Sequence, residues 1–353
     1  MSKTKYPLLV RAVWWDTSTK RVCWINTLKL PFEEEIICSD DIERVAEAII
    51  DMEIRGAPAI GVAAALAVAA YAHKLKGEDF YLRLYKGIDR LRSTRPTAYN
   101  LFWALYRVET LVKKLEKNNT DSSKAAKIIE EEALRILEED LEANIRIGEL
   151  GAELIPDNAT ILTHCNAGAL ATSGYGTALA VIRIAWYKGK NVKVIATETR
   201  PVLQGARLTV WELHKEGIPV TLITDNAAGY VIKKGLVDLV IVGADRITRD
   251  GYVVNKIGTY LIALAAKHKN IPFYVAAPTS TIDPSSTIND IVIEERNPDE
   301  VKRIRGFPIT LEDVPALNYA FDITDPDLVT AIITEKGVIR QPISENLAKI
   351  VSG

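Results

Sequence analysis

Apolar and polar positions along this chain follow three successive periods, and each predicts a different kind of structure. Short alternating runs, Leu8-Val10-Ala12-Val13 and Val22-Trp24-Ile25, flank the turn-like Asp16-Thr17-Ser18-Thr19 and predict a small β-hairpin or meander. From Asp40 to about Leu154 the spacing becomes helical. Asp40 and Asp41 are placed to cap a helix carrying Ile42, Val45, Ala46 and Ile49. Asn118-Asn119-Thr120-Asp121 separates two charged amphipathic helices, the second with Ile128, Ile129, Leu134, Ile136, Leu137 and Leu141 on its apolar face. Their charged faces read as solvent-exposed. The Ala-rich stretch from Ala57 to Ala72 is short for a bilayer span and is expected to be a buried helix.

After Pro156-Asp157-Asn158 the period changes again. Five apolar runs, Ala159–Leu162, Val192–Ala196, Val220–Ile223, Leu236–Val242 and Ile271–Ala277, alternate with helical segments at Tyr175–Tyr187, Gly205–Lys215 and Ile257–His268. Near-continuous apolar strands between helices predict a parallel sheet covered on both faces. The expected architecture is therefore α/β. A helical N-terminal domain with a small β element (1–154) precedes a doubly wound, Rossmann-like parallel sheet (155–353).

Composition narrows the function classes. The 353 residues are 48% hydrophobic and 25% charged with a net charge of -2. No Lys/Arg run is present, so no nucleic-acid partner is expected. Met1 to Asp16 lacks the uninterrupted apolar core of a secretory signal, and no membrane association is expected. Cys23, Cys38 and Cys165 are widely and irregularly spaced, which fits neither a disulfide framework nor a zinc site. With four scattered histidines, they predict a reducing, cytoplasmic setting and no metal.

Each of the five runs ends in a polar or glycine-rich turn, and in a parallel sheet that is the edge where ligands bind. The turns are Thr163-His164-Cys165-Asn166, Thr197-Glu198-Thr199-Arg200-Pro201, Thr224-Asp225-Asn226-Ala227-Ala228-Gly229, Gly243-Ala244-Asp245-Arg246 and Ala277-Pro278-Thr279-Ser280-Thr281. A lone cysteine is more often a small buried hydrophobe. The polar neighbours of Cys165, and a helix start after it, favour a thiolate or hydrogen-bonding role. A Cys-His hydrolase pair with His164 is disfavoured because adjacent strand residues point to opposite faces, so His164 is expected to be packed. Asp245 follows the most apolar run. Partial desolvation there would raise its pKa and suit acid/base work, while a capping carboxylate is the competing reading. Arg55-Gly56-Ala57-Pro58-Ala59 and Ser93-Thr94-Arg95-Pro96-Thr97 each put an Arg before a helix, a natural phosphate clamp. Asn255-Lys256-Ile257-Gly258-Thr259 opens another helix with a Lys and backbone donors. No strand is followed by a Walker or Gly-x-Gly-x-x-Gly motif, so no nucleotide cofactor is expected. The inventory describes a small phosphorylated substrate beside one thiol and one carboxyl.

As a set, these motifs resemble the methylthioribose-1-phosphate isomerase family. The resemblance also includes Arg55 through Gly61, Leu162 through Thr172, Gln204-Gly205-Ala206-Arg207-Leu208-Thr209, and Gly243-Ala244-Asp245-Arg246-Ile247. It runs in order from about Trp15 to Val338. It implies an aldose–ketose isomerase of methionine salvage, without cofactor or metal, and a homodimer. It also implies Asp245 and Cys165 as catalytic residues and Arg55, Gly56, Ala57, Arg95, Gln204, Asn255 and Lys256 as ligands of a sugar phosphate. Two rival readings are a ribose-1,5-bisphosphate isomerase and a non-enzymatic regulatory subunit of the translation-initiation exchange-factor type. Two local departures from the family pattern are Asn318-Tyr319-Ala320-Phe321, where Pro is usual at the second position, and Thr248-Arg249-Asp250-Gly251. The first lies far in sequence from the matched turns.

Overall fold

The computed structural model describes residues 5–95 and 99–351. Contacts divide the chain into two units, Met1–Asn144 with Gly168–Gly176, and Ile145–Ala167 with Thr177–Gly353. This differs from a single cut after residue 154. Gly148 and Gly151 near the end of a long helix allow its last turns to lie on Ala180, Val181 and Ile184, where an added Cβ would come within 2.5 Å of the Ile184 side chain.

In the first unit, β1 (Val13–Asp16), β2 (Arg21–Ile25) and β3 (Ile36–Ser39) form the expected antiparallel meander. Cys23 and Cys38 sit directly opposite each other in its register and are joined by a disulfide, with Cα atoms 4.0 Å apart. The expectation that the cysteines form no disulfide is thereby overturned for this pair. A spacing that looks irregular in sequence is a cross-strand pair once the hairpin forms, and the inference of a reducing compartment from these cysteines loses its basis.

Five helices complete this region: α1 (Ile42–Ile50), α2 (Ala57–Lys74), α3 (Phe80–Arg92), α4 (Tyr99–Lys117) and α5 (Ser122–Ala152). Asp41, one of the two candidate caps, accepts a hydrogen bond from the Glu43 N–H at the start of α1. Asp121 does the same for α5 through the Ser123 and Lys124 N–H groups. Helix α2 is long and apolar enough by composition to cross a membrane. Its residues from Ala59 to Ala70 are instead all buried in the core of the first unit, among α1, α3 and α4.

The second unit holds β4 (Thr160–Thr163), α6 (Ala178–Tyr187), β5 (Lys193–Thr197), α7 (Val210–Lys215), β6 (Val220–Ile223), α8 (Ala228–Lys233) and β7 (Leu239–Val242). It continues with β8 (Arg246–Thr248), β9 (Val253–Lys256), α9 (Thr259–Lys269), β10 (Phe273–Ala276), β11 (Ile282–Asp283) and α10 (Asp299–Lys302). It ends with β12 (Arg303–Ile304), β13 (Phe307–Pro308), β14 (Phe321–Thr324), β15 (Ala331–Thr334), β16 (Gly337–Arg340) and α11 (Ile343–Val351). The main sheet has the order β16-β15-β10-β7-β4-β5-β6. All its pairings are parallel except that of the edge strand β16. Taken in chain order, the six parallel strands run 3-2-1-4-5-6, the doubly wound arrangement. The strand order reverses between β4 and β7, where Leu162 pairs with Val240. A smaller sheet, β11-β8-β9-β14, follows from the turn after β7 and was not foreseen from the sequence.

Candidate active site

Cys165 and Asp245 follow the two strands that flank this reversal. Ligands in open α/β sheets bind at such a switch point, outside the carboxyl ends of the strands. Cys165 is buried and is the free cysteine of the chain. Its backbone adopts φ +62°, a left-handed conformation rare for a residue with a side chain. Hydrogen bonds on both sides hold it there. The Cys165 N–H donates to Thr199 Oγ1 at 2.9 Å, and the Thr209 hydroxyl donates to the Cys165 carbonyl at 2.6 Å. Thr199 is itself left-handed at φ +63°, and Asp225 accepts from the Thr199 and Arg200 N–H groups at 2.6 Å each. Strain of this kind persists only where neighbouring bonds over-determine it.

His164, as expected, is a packed residue. Its Nε2–H donates to the Ile257 carbonyl at 2.8 Å, and Nδ1 accepts from the Thr197 hydroxyl at 2.6 Å. Burial pushes its pKa below the ordinary histidine value, so the ring is neutral. It thereby ties the ends of β4 and β5 to the end of β9, the strand that carries Asn255 and Lys256.

Asp245 is half-buried, and its N–H donates to the Val254 carbonyl at 2.9 Å. Asn255 is buried and donates to Thr259 Oγ1 at 3.1 Å. Lys256 donates to the Ala320 carbonyl at 2.9 Å, with its ammonium 4.5 Å from the centre of the Phe321 ring. The departure Asn318-Tyr319-Ala320-Phe321, far away in sequence, is therefore in direct contact with a predicted binding residue. The backbone donors at the start of α9, expected to be open to a phosphate, are also engaged. Asp322 accepts from the Gly258 N–H at 2.7 Å and the Tyr260 N–H at 3.2 Å. Burial raises the Asp322 pKa to about 6, although these donors and Lys256 pull it down.

Gln204 lies at the start of a π-helical turn, Gly205–Thr209, a feature often found at functional sites. Gly205 is required there, because a Cβ would come 1.8 Å from the Thr197 carbonyl oxygen. The side-chain oxygen of Gln204 is buried and finds no protein donor, leaving an acceptor for a ligand hydroxyl.

Arg55, Gly56, Ala57 and Arg95 belong to the first unit. Gly56, at φ +88°, packs so closely on Ala171 that a Cβ would come within 2.5 Å of its backbone. Thr94 anchors the Arg95 turn through the Leu91 carbonyl at 2.6 Å. The remainder of that motif, Pro96 and Thr97, lies outside the described residues. Among the described residues, no group of three or more His, Cys, Asp or Glu side chains is arranged around a metal. Sequence reasoning missed Thr199, Thr209 and Asp322, the residues that fix the turns. A threonine or aspartate in a loop carries no signal that it braces a neighbour far along the chain.

Comparison with known proteins identifies the family. The model of the initiation factor 2 subunit family matches residues 53–341. A methylthioribose-1-phosphate isomerase of Thermotoga petrophila is 55% identical over 328 residues, spanning 93% of this chain and 94% of its own. The crystal structure of 5-methylthioribose 1-phosphate isomerase from Pyrococcus horikoshii OT3 superposes with a TM-score of 0.91 at 45% identity, covering 99% of this chain and 97% of that one. A structure described as translation initiation factor eIF-2B, subunit delta, from A. fulgidus is as similar in sequence, at 45% identity, with a TM-score of 0.89 over 98% of this chain and 100% of that one. The chain belongs to the initiation factor 2 subunit family and, within it, to the methylthioribose-1-phosphate isomerases.

Proposed function

We infer that the protein is an aldose–ketose isomerase that converts 5-methylthioribose 1-phosphate to 5-methylthioribulose 1-phosphate, a step of methionine salvage. The observation that supports this assignment of the chemistry is the placement of Cys165 and Asp245 in the turns that follow the two strands flanking the switch point. A regulatory subunit that only binds ligand has no use for a matched acid and thiol at that position.

The phosphate on oxygen 1 prevents the usual opening to a free aldehyde. Asp245 donates a proton to the ring oxygen as its bond to carbon 1 breaks, leaving an electron-poor carbon 1. Hydrogen then passes from carbon 2 to carbon 1, and carbon 2 becomes the ketone. In one route Cys165 takes the carbon 2 proton, an enol phosphate forms, and the proton returns to carbon 1 as the carbon 2 hydroxyl gives its own proton to the Asp245 carboxylate. In the other, hydride shifts directly and the hydroxyl on carbon 2 loses its proton, with Cys165 as a neighbour. Turnover in deuterated water bears on the choice: deuterium at carbon 1 of the product favours the enol route, and full retention of protium favours the hydride shift unless the base is shielded from solvent.

Gln204, Asn255 and Lys256 hold the sugar and its phosphate, with Arg55, Gly56, Ala57 and Arg95 assigned by family resemblance. No cofactor or metal enters these steps. A phosphorylated sugar carries charge that resists passage through a bilayer, which supports a cytoplasmic setting. A homodimer is supported by the exposed apolar side chains Val292, Phe307, Leu311 and Leu317 of the second unit. Parallel assays with methylthioribose 1-phosphate and ribose 1,5-bisphosphate test the substrate. Faster turnover of the bisphosphate would assign the rival activity.

A further inference from the structure

We propose that Glu212 and Arg183 are positioning residues that act on Cys165 through Asn166. The proposal rests on the placement of Cys165 in the isomerase site. Asn166, next in the chain, donates through Nδ2 to Glu212 Oε1 at 2.8 Å and to Thr209 Oγ1 at 3.2 Å. Thr209 is the residue whose hydroxyl holds the Cys165 carbonyl. Glu212 is fixed in turn by Arg183, whose Nη2 donates to Glu212 Oε2 at 2.7 Å, and the Nε of Arg183 donates to Glu216 at 2.8 Å. All three charged side chains are essentially inaccessible to solvent, with side-chain exposures of 1% for Arg183, 0% for Glu212 and 3% for Glu216.

A buried ion triad is an expensive way to fill a core. Apolar side chains of similar size serve at least as well for stability. This triad is not placed at random: it ends on the one turn in which a cysteine is held at φ +62°. Asn166 and Thr209 share a hydrogen bond, so their orientations are linked, and each needs a fixed acceptor or donor behind it. Glu212 supplies that reference point at the start of α7, and Arg183 on α6 keeps Glu212 from rotating away. The chain of contacts thus transfers the rigidity of two helices to the Cys165 backbone.

Three variants measured with 5-methylthioribose 1-phosphate test the proposal, with thermal melts run on each and Cys165→Ser as reference. Glu212→Gln retains the size of the side chain but removes the charge that orients Arg183 and Asn166. It is expected to lower kcat about ten- to a hundredfold while KM changes by less than about threefold, as displacement of a reacting group does. Glu216→Gln breaks an ion pair of the same kind on the same arginine without touching Asn166. It is expected to lower the melting temperature and leave kcat within about twofold of wild type. Asn166→Ala, which leaves the ion triad intact, is expected to reproduce the Glu212→Gln loss and covers the case in which that variant fails to fold. Wild-type kcat in Asn166→Ala, or equal kcat losses in Glu212→Gln and Glu216→Gln, would overturn the positioning role. Wild-type turnover in Cys165→Ser would instead remove Cys165 from the reaction, a failure of the underlying functional reading.

Discussion

The first unit is built from side chains that pack, and the second from turns that hold polar groups. In the first, α2 is surrounded on every side by apolar contacts, and the left-handed residues Lys20, Met52, Asn119 and Tyr175 all lie outside its helices and strands. In the second, left-handed Cys165, Thr199 and Leu203 cluster in the turns after β4 and β5, each braced by hydrogen bonds. The contrast teaches where strain is tolerated. A packed helical core resists it, whereas the carboxyl edge of a parallel sheet can hold strained turns because side chains from neighbouring strands tie them down.

The contrast predicts that changes in the second unit's turns strike turnover, and changes in the first unit's framework strike stability or affinity. The largest effect is expected for Cys165→Ser, with kcat reduced about 10²- to 10⁴-fold and the melting temperature nearly unchanged, measured by steady-state kinetics and calorimetry. Next, replacing both Cys23 and Cys38 by Ser is expected to cost about 2–4 kcal/mol of unfolding free energy with kcat preserved. A fall in kcat without a loss of stability in that variant would break the division. Arg95→Ala comes third: KM is expected to rise about tenfold, the loss of one charge-assisted phosphate contact, with kcat little changed. An unaltered KM would remove Arg95 from the binding set.

The smallest effect concerns Asp322, whose folded pKa of about 6 lies above its ordinary value of 3.8. The folded state therefore holds the proton more tightly than the unfolded chain does. The associated stability is fully present below the unfolded pKa and is lost as pH rises through the folded one. Relative to Asp322→Asn, the wild type is expected to lose about 1–3 kcal/mol of unfolding free energy between pH 4 and 7 and to remain level above that. Urea titrations of both proteins across this range read the difference, and a flat difference would contradict it.

Much of the fold was legible because period carries it. Ile42, Val45, Ala46 and Ile49 repeat as a helix face and form one, and Val220–Ile223 marks β6 to the residue. Only the final four residues of the Leu236–Val242 run became strand, since Leu236 is exposed in the loop that precedes β7. The smaller sheet was hidden because β8 and β11 are too short to show a period. The disulfide was hidden for a different reason: register decides it, and spacing alone does not reveal register. At the site, Cys165 and Asp245 stood out as unusual residues at strand ends. Their shared position at the switch point depends on strand order, which no local pattern encodes. The Asp322 contact with the first turn of α9 was equally out of reach, since it joins residues 64 positions apart.

The central claim is that the carboxyl of Asp245 and the thiol of Cys165, at the point where strand order reverses, carry out the isomerisation. Its most direct test follows conversion of 5-methylthioribose 1-phosphate by phosphorus NMR in wild type and Asp245→Asn side by side, with substrate affinity measured by calorimetry. The expected result is formation of the ketose 1-phosphate by the wild type, and a turnover reduced about 10²- to 10⁴-fold in Asp245→Asn with binding retained. Conversion by Asp245→Asn at the wild-type rate, or none by the wild type, would contradict it.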